Sequence, residues 1–215
     1  LKRMVEKQDN VFYYLTLLNE NYAMPGLTAG TEAQIIKGMY LCKPGAAGEK
    51  RVQLLGSGTI LRESIAAQTL LATDWGIQAD VWSCPSFNEL TRDGQDVERF
   101  NLLHPLETPR VSFVSQQLAA HSGPVVASTD YMKAYAEQIR PFIPKGRTYK
   151  VLGTDGFGRS DFRSKLREHF EVNRYYIVVA ALKALSEDGH LPAAKVAEAI
   201  AKYGIKADKI NPLYA

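Results

Sequence analysis

Two strand-to-helix steps in this chain carry the glycines that a phosphate cradle needs. In the first, "RVQLLGSGTILRE", Gly56 and Gly58 flank Ser57 between an apolar run and a helical pattern. A dinucleotide fingerprint would add a third glycine at position 61, and an acid ending the next strand to hold a ribose. Position 61 is Leu61, and the next strand ends in Ser83 and Cys84, with Asp80 near its start. In the second step, "KVLGTDGFGRSDF", Gly153, Gly156 and Gly158 spell G-x-x-G-x-G. No Lys-Ser/Thr pair follows the last glycine, so this is not a P-loop either. Asp155 lies in the loop, and Asp161 is expected in the first turn of a helix capped by Ser160. An acid there complements the helix dipole and opposes a phosphate. The glycines are read instead as backbone angles that other residues avoid, or as points of close approach. Arg159, Arg163 and Arg167 follow at i, i+4 spacing. Their first reading is a solvated face with Asp161 and Glu168 as partners; their second is a contact surface.

No other grouping has reactive spacing. His104, His121, His169 and His190 are scattered without metal-ligand intervals. His104, in "LLHPLETP", is expected to be a packed loop residue. Ser57 lacks the remainder of a nucleophile elbow. The acids of "TRDGQDVERF", Asp93, Asp96 and Glu98, read as an exposed turn and helix start. The residues alone supply no catalytic, cofactor or metal constellation.

The elements that would hold these residues alternate. Strands are expected at Lys37–Cys42, Arg51–Leu55, Ala79–Cys84, "GPVVAST" and "RTYKVLG". Helices are expected near 60–73, 87–103, 109–120 and 130–140, then near 161–170, 174–188 and 192–203, the last with Pro192 in its first turn. Such a rhythm predicts an α/β fold, a three-layer α/β/α unit with a mainly parallel sheet. A hairpin-like turn, "KPGAAGEK", predicts that the first of these strands runs antiparallel to the others. Ahead of them, Val11–Leu18 is a nearly unbroken apolar run, as expected of a strand buried on both faces. No crossover helix follows it, and the start lacks an initiator methionine, so a piece of a larger chain is expected.

Composition narrows the classes. The chain has 215 residues, 46% hydrophobic content and a net charge of +3 with the two signs interspersed, which leaves no nucleic-acid stripe. Two cysteines, Cys42 and Cys84, in a chain of this size imply a reducing compartment rather than a disulfide. No apolar run reaches the length of a membrane span. A cytoplasmic protein is expected, with no membrane or nucleic-acid partner.

Several long segments in order, "YYLTLLNENY", "RVQLLGSGTILRE", "RDGQDVER", "LLHPLETPRV", "ASTDYMKAYAEQIR" and "VLGTDGFGRSDFRSKLREHFEV", resemble the C-terminal part of the homodimeric bacterial pyruvate dehydrogenase first component. A wider resemblance, to transketolases, rests on Phe157–Ser160. The resemblance implies a five-stranded mixed sheet with one antiparallel strand. It also implies a parent enzyme that uses thiamine diphosphate and magnesium to decarboxylate pyruvate and acetylate a lipoyl group on a dihydrolipoyl acetyltransferase. In that family the cofactor is held by a Gly-Asp-Gly segment with a downstream asparagine, and by a glutamate, in the N-terminal and middle domains. Neither Gly-Asp-Gly nor its spaced asparagine occurs here, so no catalytic, cofactor or metal residue is carried over. Residues 1–22 would be the tail of the middle domain, 23–36 a linker and 37–215 the last domain. The expected partners are the missing domains, a second subunit and the acetyltransferase. Asp155, Arg159, Asp161, Arg163 and Arg167 are the interface candidates. The alternatives are an assembly or docking module, and a transketolase-like enzyme acting on a sugar phosphate.

Overall fold

A computed structural model describes residues 1–15, 21–23 and 25–215. After two short helices, α1 (Lys2–Val5) and α2 (Glu32–Ile36), the chain alternates between strands and helices. The order is β1 (Tyr40–Lys43), β2 (Arg51–Gly56), α3 (Leu61–Trp75), β3 (Gln78–Ser83), α4 (Phe87–Leu103), α5 (Phe113–Ala119), β4 (Val125–Ser128), α6 (Lys133–Glu137) and β5 (Tyr149–Leu152). Helices α7 (Arg163–His169), α8 (Arg174–Glu187) and α9 (Ala193–Lys202) complete it. The strands form one five-stranded sheet in the order β1-β3-β2-β4-β5, parallel except for β1 against β3.

Alternation along the central strands builds two cores. Val52, Leu54, Val81 and Val126 point to one face, where they meet Ala67 and Leu71 of α3, Ile177, Ala181 and Leu182 of α8, and Val196 of α9. Leu55, Trp82, Val125 and Ala127 point to the other, against Leu90 of α4, Val114 of α5 and Ala136 of α6. The central strands are therefore apolar on both faces, as parallel strands between helix layers must be. Helix ends follow the sequence. Ser86 accepts from the Glu89 amide, Asn173 from those of Tyr175 and Tyr176, and Gly76 closes α3 in the left-handed conformation at φ +64°.

Three expectations need correction. Residues 11–15 form no strand, and Phe12, Tyr14 and Leu15 are exposed; Thr16–Leu18 lie outside the described residues. A strand exists only through neighbours that take its hydrogen bonds, and among the described residues none of the five strands pairs with this segment. Strand β1 is antiparallel as expected, but its neighbour is β3 rather than β2. The connection crosses over because Gly45 lies against β3: a Cβ there would sit 2.4 Å from the Ala79 carbonyl oxygen, and its amide donates to Asp80 at 2.9 Å. Finally, "TRDGQDVERF" is no turn but the interior of α4. Gly94 is small there because the Phe142 ring would lie 2.4 Å from a Cβ.

Candidate functional site

The crossovers define where a site can form. Strand β2 feeds β3 through α3 on one face, while β4 feeds β5 through α6 on the other. The chain thus diverges between β2 and β4, whose carboxyl ends open the crevice that ligands of open α/β sheets occupy. Both glycine loops identified in the sequence border it.

The first loop is shaped by packing. A Cβ on Gly56 would lie 2.7 Å from the Leu61 Cα, so only glycine lets α3 start so close to β2. Gly58 has φ +56°, and the Ser57 amide donates to the Ser128 carbonyl at 3.1 Å. The Thr59 hydroxyl then donates to Asp130 at 2.9 Å, tying this loop to the one after β4. The Thr154 hydroxyl donates to the Asp130 carbonyl at 2.8 Å and brings in the loop after β5.

The second loop turns tightly over the chain's own final segment. Gly156 has φ +102°, and a Cβ there would lie 2.2 Å from the Pro212 carbonyl oxygen; one on Gly153 would lie 2.8 Å from the Lys133 amide. Asp155 accepts from that amide at 3.1 Å and faces the Lys133 ammonium at 3.6 Å. Asp161 accepts from the Phe162 amide at 2.7 Å. Helix α7 begins only at Arg163, with Phe162 as its N-cap residue and no side-chain cap. Ser160 is therefore not the cap, and Asp161 is not in the first turn. Its bond to the adjacent amide competes with helix initiation.

The crevice measures about 440 Å³. Arg159, Arg163 and Arg167 all line it, although only the last two share α7, whereas Asp155 and Asp161 do not line it. Arg163 donates to the Tyr22 hydroxyl at 2.5 Å, and Arg62 stacks on that ring at 4.5 Å. Arg167 pairs with Glu63 at 3.2 Å, while Glu168 is held by Lys165. Neither expected partner of the basic face is used.

Glu63, only 4% exposed, is the residue that sequence reasoning missed. Arg174 grips it through Nε at 2.9 Å, Nη2 at 3.1 Å and its own amide at 3.0 Å. Burial pushes this carboxyl up, but the Arg174 bonds and the charges of Arg174 and Arg167 prevail and hold it below the usual range. Its signal lay in spacing: Glu63, Ala67 and Leu71 fall at i, i+4, i+8 on one helix face, and the last two are core.

The remaining candidates are structural. Asp80 receives Arg51 at 2.6 Å, Gln53 at 3.0 Å and His121 at 3.0 Å. His104 stacks on Phe100 at 4.2 Å but is exposed rather than enclosed. Burial pushes the Cys84 thiol far up, which leaves it unreactive.

A magnesium-bound diphosphate does not fit this crevice. A hard divalent cation needs several oxygen ligands. Among the described residues the lining offers one carboxylate, Asp130, beside three guanidinium groups. Glu63, which could otherwise face a heterocycle, is fully engaged by Arg174 and Arg167.

The chain is 59% identical over 215 residues to the pyruvate dehydrogenase E1 component of Cupriavidus necator, across 99% of this chain and 24% of that protein. It is 55% identical over 216 residues to the E1 component of Escherichia coli K12, again covering 24% of it. The chain thus spans about a quarter of the length of these relatives. A crystal structure of transketolase from Pichia stipitis superimposes with a TM-score of 0.48 at 16% identity, over 76% of this chain and 20% of that one. The family model of the transketolase-like TK C-terminal domain matches residues 38–173, and the chain belongs to that family.

Proposed function

We propose that this chain is the last domain of a pyruvate dehydrogenase first component and serves that enzyme without carrying its chemistry. The observation behind this reading is identity of 55–59% along essentially the whole chain to proteins of that name. The parent would decarboxylate pyruvate and transfer the acetyl group to the lipoyl group of a dihydrolipoyl acetyltransferase, in the cytoplasm and as a homodimer. Thiamine diphosphate with magnesium supplies the carbanion chemistry of that reaction when bound. Residues 37–215 are the domain proper, 23–36 its connection and 1–22 the tail of the preceding domain.

In this reading the domain's own residues position rather than react. The Glu63–Arg174–Arg167 cluster joins α3, α7 and α8, and Arg163 with Arg62 clasps Tyr22, anchoring the end of the 1–22 tail to the domain. The full-length protein supplied with thiamine diphosphate, magnesium and an oxidised lipoyl domain is expected to convert pyruvate to carbon dioxide and an acetylated dihydrolipoyl group. Turnover of a ketose phosphate with no turnover of pyruvate would overturn the proposal in favour of a transketolase-like enzyme.

A further inference from the structure

The crevice between the ends of β2 and β4 has a charge pattern that the family reading leaves unused. We propose that it binds a small organic oxyanion, a phosphate or carboxylate on a short apolar body, without a metal ion. The inference does not depend on the parent's activity.

Its volume, about 440 Å³, lies within the ordinary range of small-molecule sites. Ile60, Leu166, Phe170 and Val172 supply an apolar wall. Positive charge comes from the β5–α7 side. Arg159 is exposed and makes no hydrogen bond or ion pair among the described residues. Arg167 shares the single Glu63 carboxylate with Arg174, which contacts both of its oxygens. Two guanidinium groups against one carboxylate leave that trio cationic. The amides of Gly156, Gly158 and Arg159 donate to no acceptor among the described residues, and the space over Gly158 is open.

The acids that argued against an anion in the sequence are directed elsewhere: Asp155 to Lys133, and Asp161 to the Phe162 amide. Asp130 is the one carboxylate in the lining among the described residues, at the β4 end, where it accepts from Thr59. It confines an oxyanion to the arginine end and turns the ligand's body toward the apolar wall. A planar fork such as Arg159 suits that oxyanion geometrically, beyond its charge.

Phenyl phosphate and inorganic phosphate are the probes, each titrated into the 215-residue chain at constant ionic strength while backbone amide resonances are followed. Phenyl phosphate is expected to shift Gly156, Gly158, Arg159 and Thr59 saturably. Inorganic phosphate, lacking the apolar body, should shift the same amides with an affinity about tenfold weaker. Arg159→Ala should weaken phenyl phosphate by about tenfold or more, and Arg159→Lys by less. Arg159 is exposed, so the circular dichroism spectrum of each variant should match the parent's. No saturable shift up to about 10 mM, shifts scattered over surface lysines, or unchanged affinity in Arg159→Ala would each overturn the site.

Discussion

Asp80 is 2% exposed, and its partners stand 27 to 41 residues away along the chain. It gathers the β1–β2 turn, the starts of β2 and β3, and His121 ahead of β4. Burial opposes its charge, but the Gly45 amide, Gln53, His121 and Arg51 together hold its carboxyl below the usual range. An unfolded chain therefore binds a proton here more readily than the folded one. The stabilisation is fully present above the unfolded value, near 3.8, and is lost as pH falls through the lower folded value. Asp80→Ala leaves Arg51 without its carboxylate and is expected to cost about 3–5 kcal/mol at neutral pH, with a shallower loss of stability on acidification. Urea midpoints between neutral pH and about pH 3 measure both effects; a cost below about 1 kcal/mol, or an unchanged acid slope, would contradict this role. The sequence located Asp80 in its strand, but not its partners, because pairing across the sheet is settled by strand order.

At the scale of elements, periodicity located the helices and strands of the domain, and the helical pieces expected around 87–103 form one continuous helix, α4. Strand order was less legible. The antiparallel direction of β1 follows from the turn ahead of β2, but its place beside β3 follows from the Gly45 contact, which no local pattern encodes. Gly94 illustrates the same limit: "RDGQD" reads as a turn because glycine and aspartate favour turns, yet tertiary packing makes this glycine helical. In an exposed helix, Gly→Ala would gain roughly 1 kcal/mol. Here Gly94→Ala drives a methyl into the Phe142 ring and is expected to destabilise by about 1–3 kcal/mol. A double-mutant cycle with Phe142→Ala should recover part of that loss, whereas additive costs would show that Gly94 is not shaped by the ring.

At the scale of the whole molecule, the residues that bear on function divide into two sets. The arginine stripe was visible in sequence; the partners it has among the described residues, Glu63 and Tyr22, were not, because they arrive from another helix and from a residue far ahead in the chain. The two loops that looked like phosphate cradles do border one crevice, although neither carries a nucleotide motif. Among the described residues the fold places there a cationic rim with a single carboxylate, Asp130. Calorimetric titration of the 215-residue chain with thiamine diphosphate, with and without magnesium, tests this division most directly. No magnesium-dependent binding is expected; any weak binding should be magnesium-independent and reduced by Arg159→Ala. Magnesium-dependent binding tighter than about millimolar would contradict it, since the chain would then hold the cofactor site assigned to the rest of the enzyme.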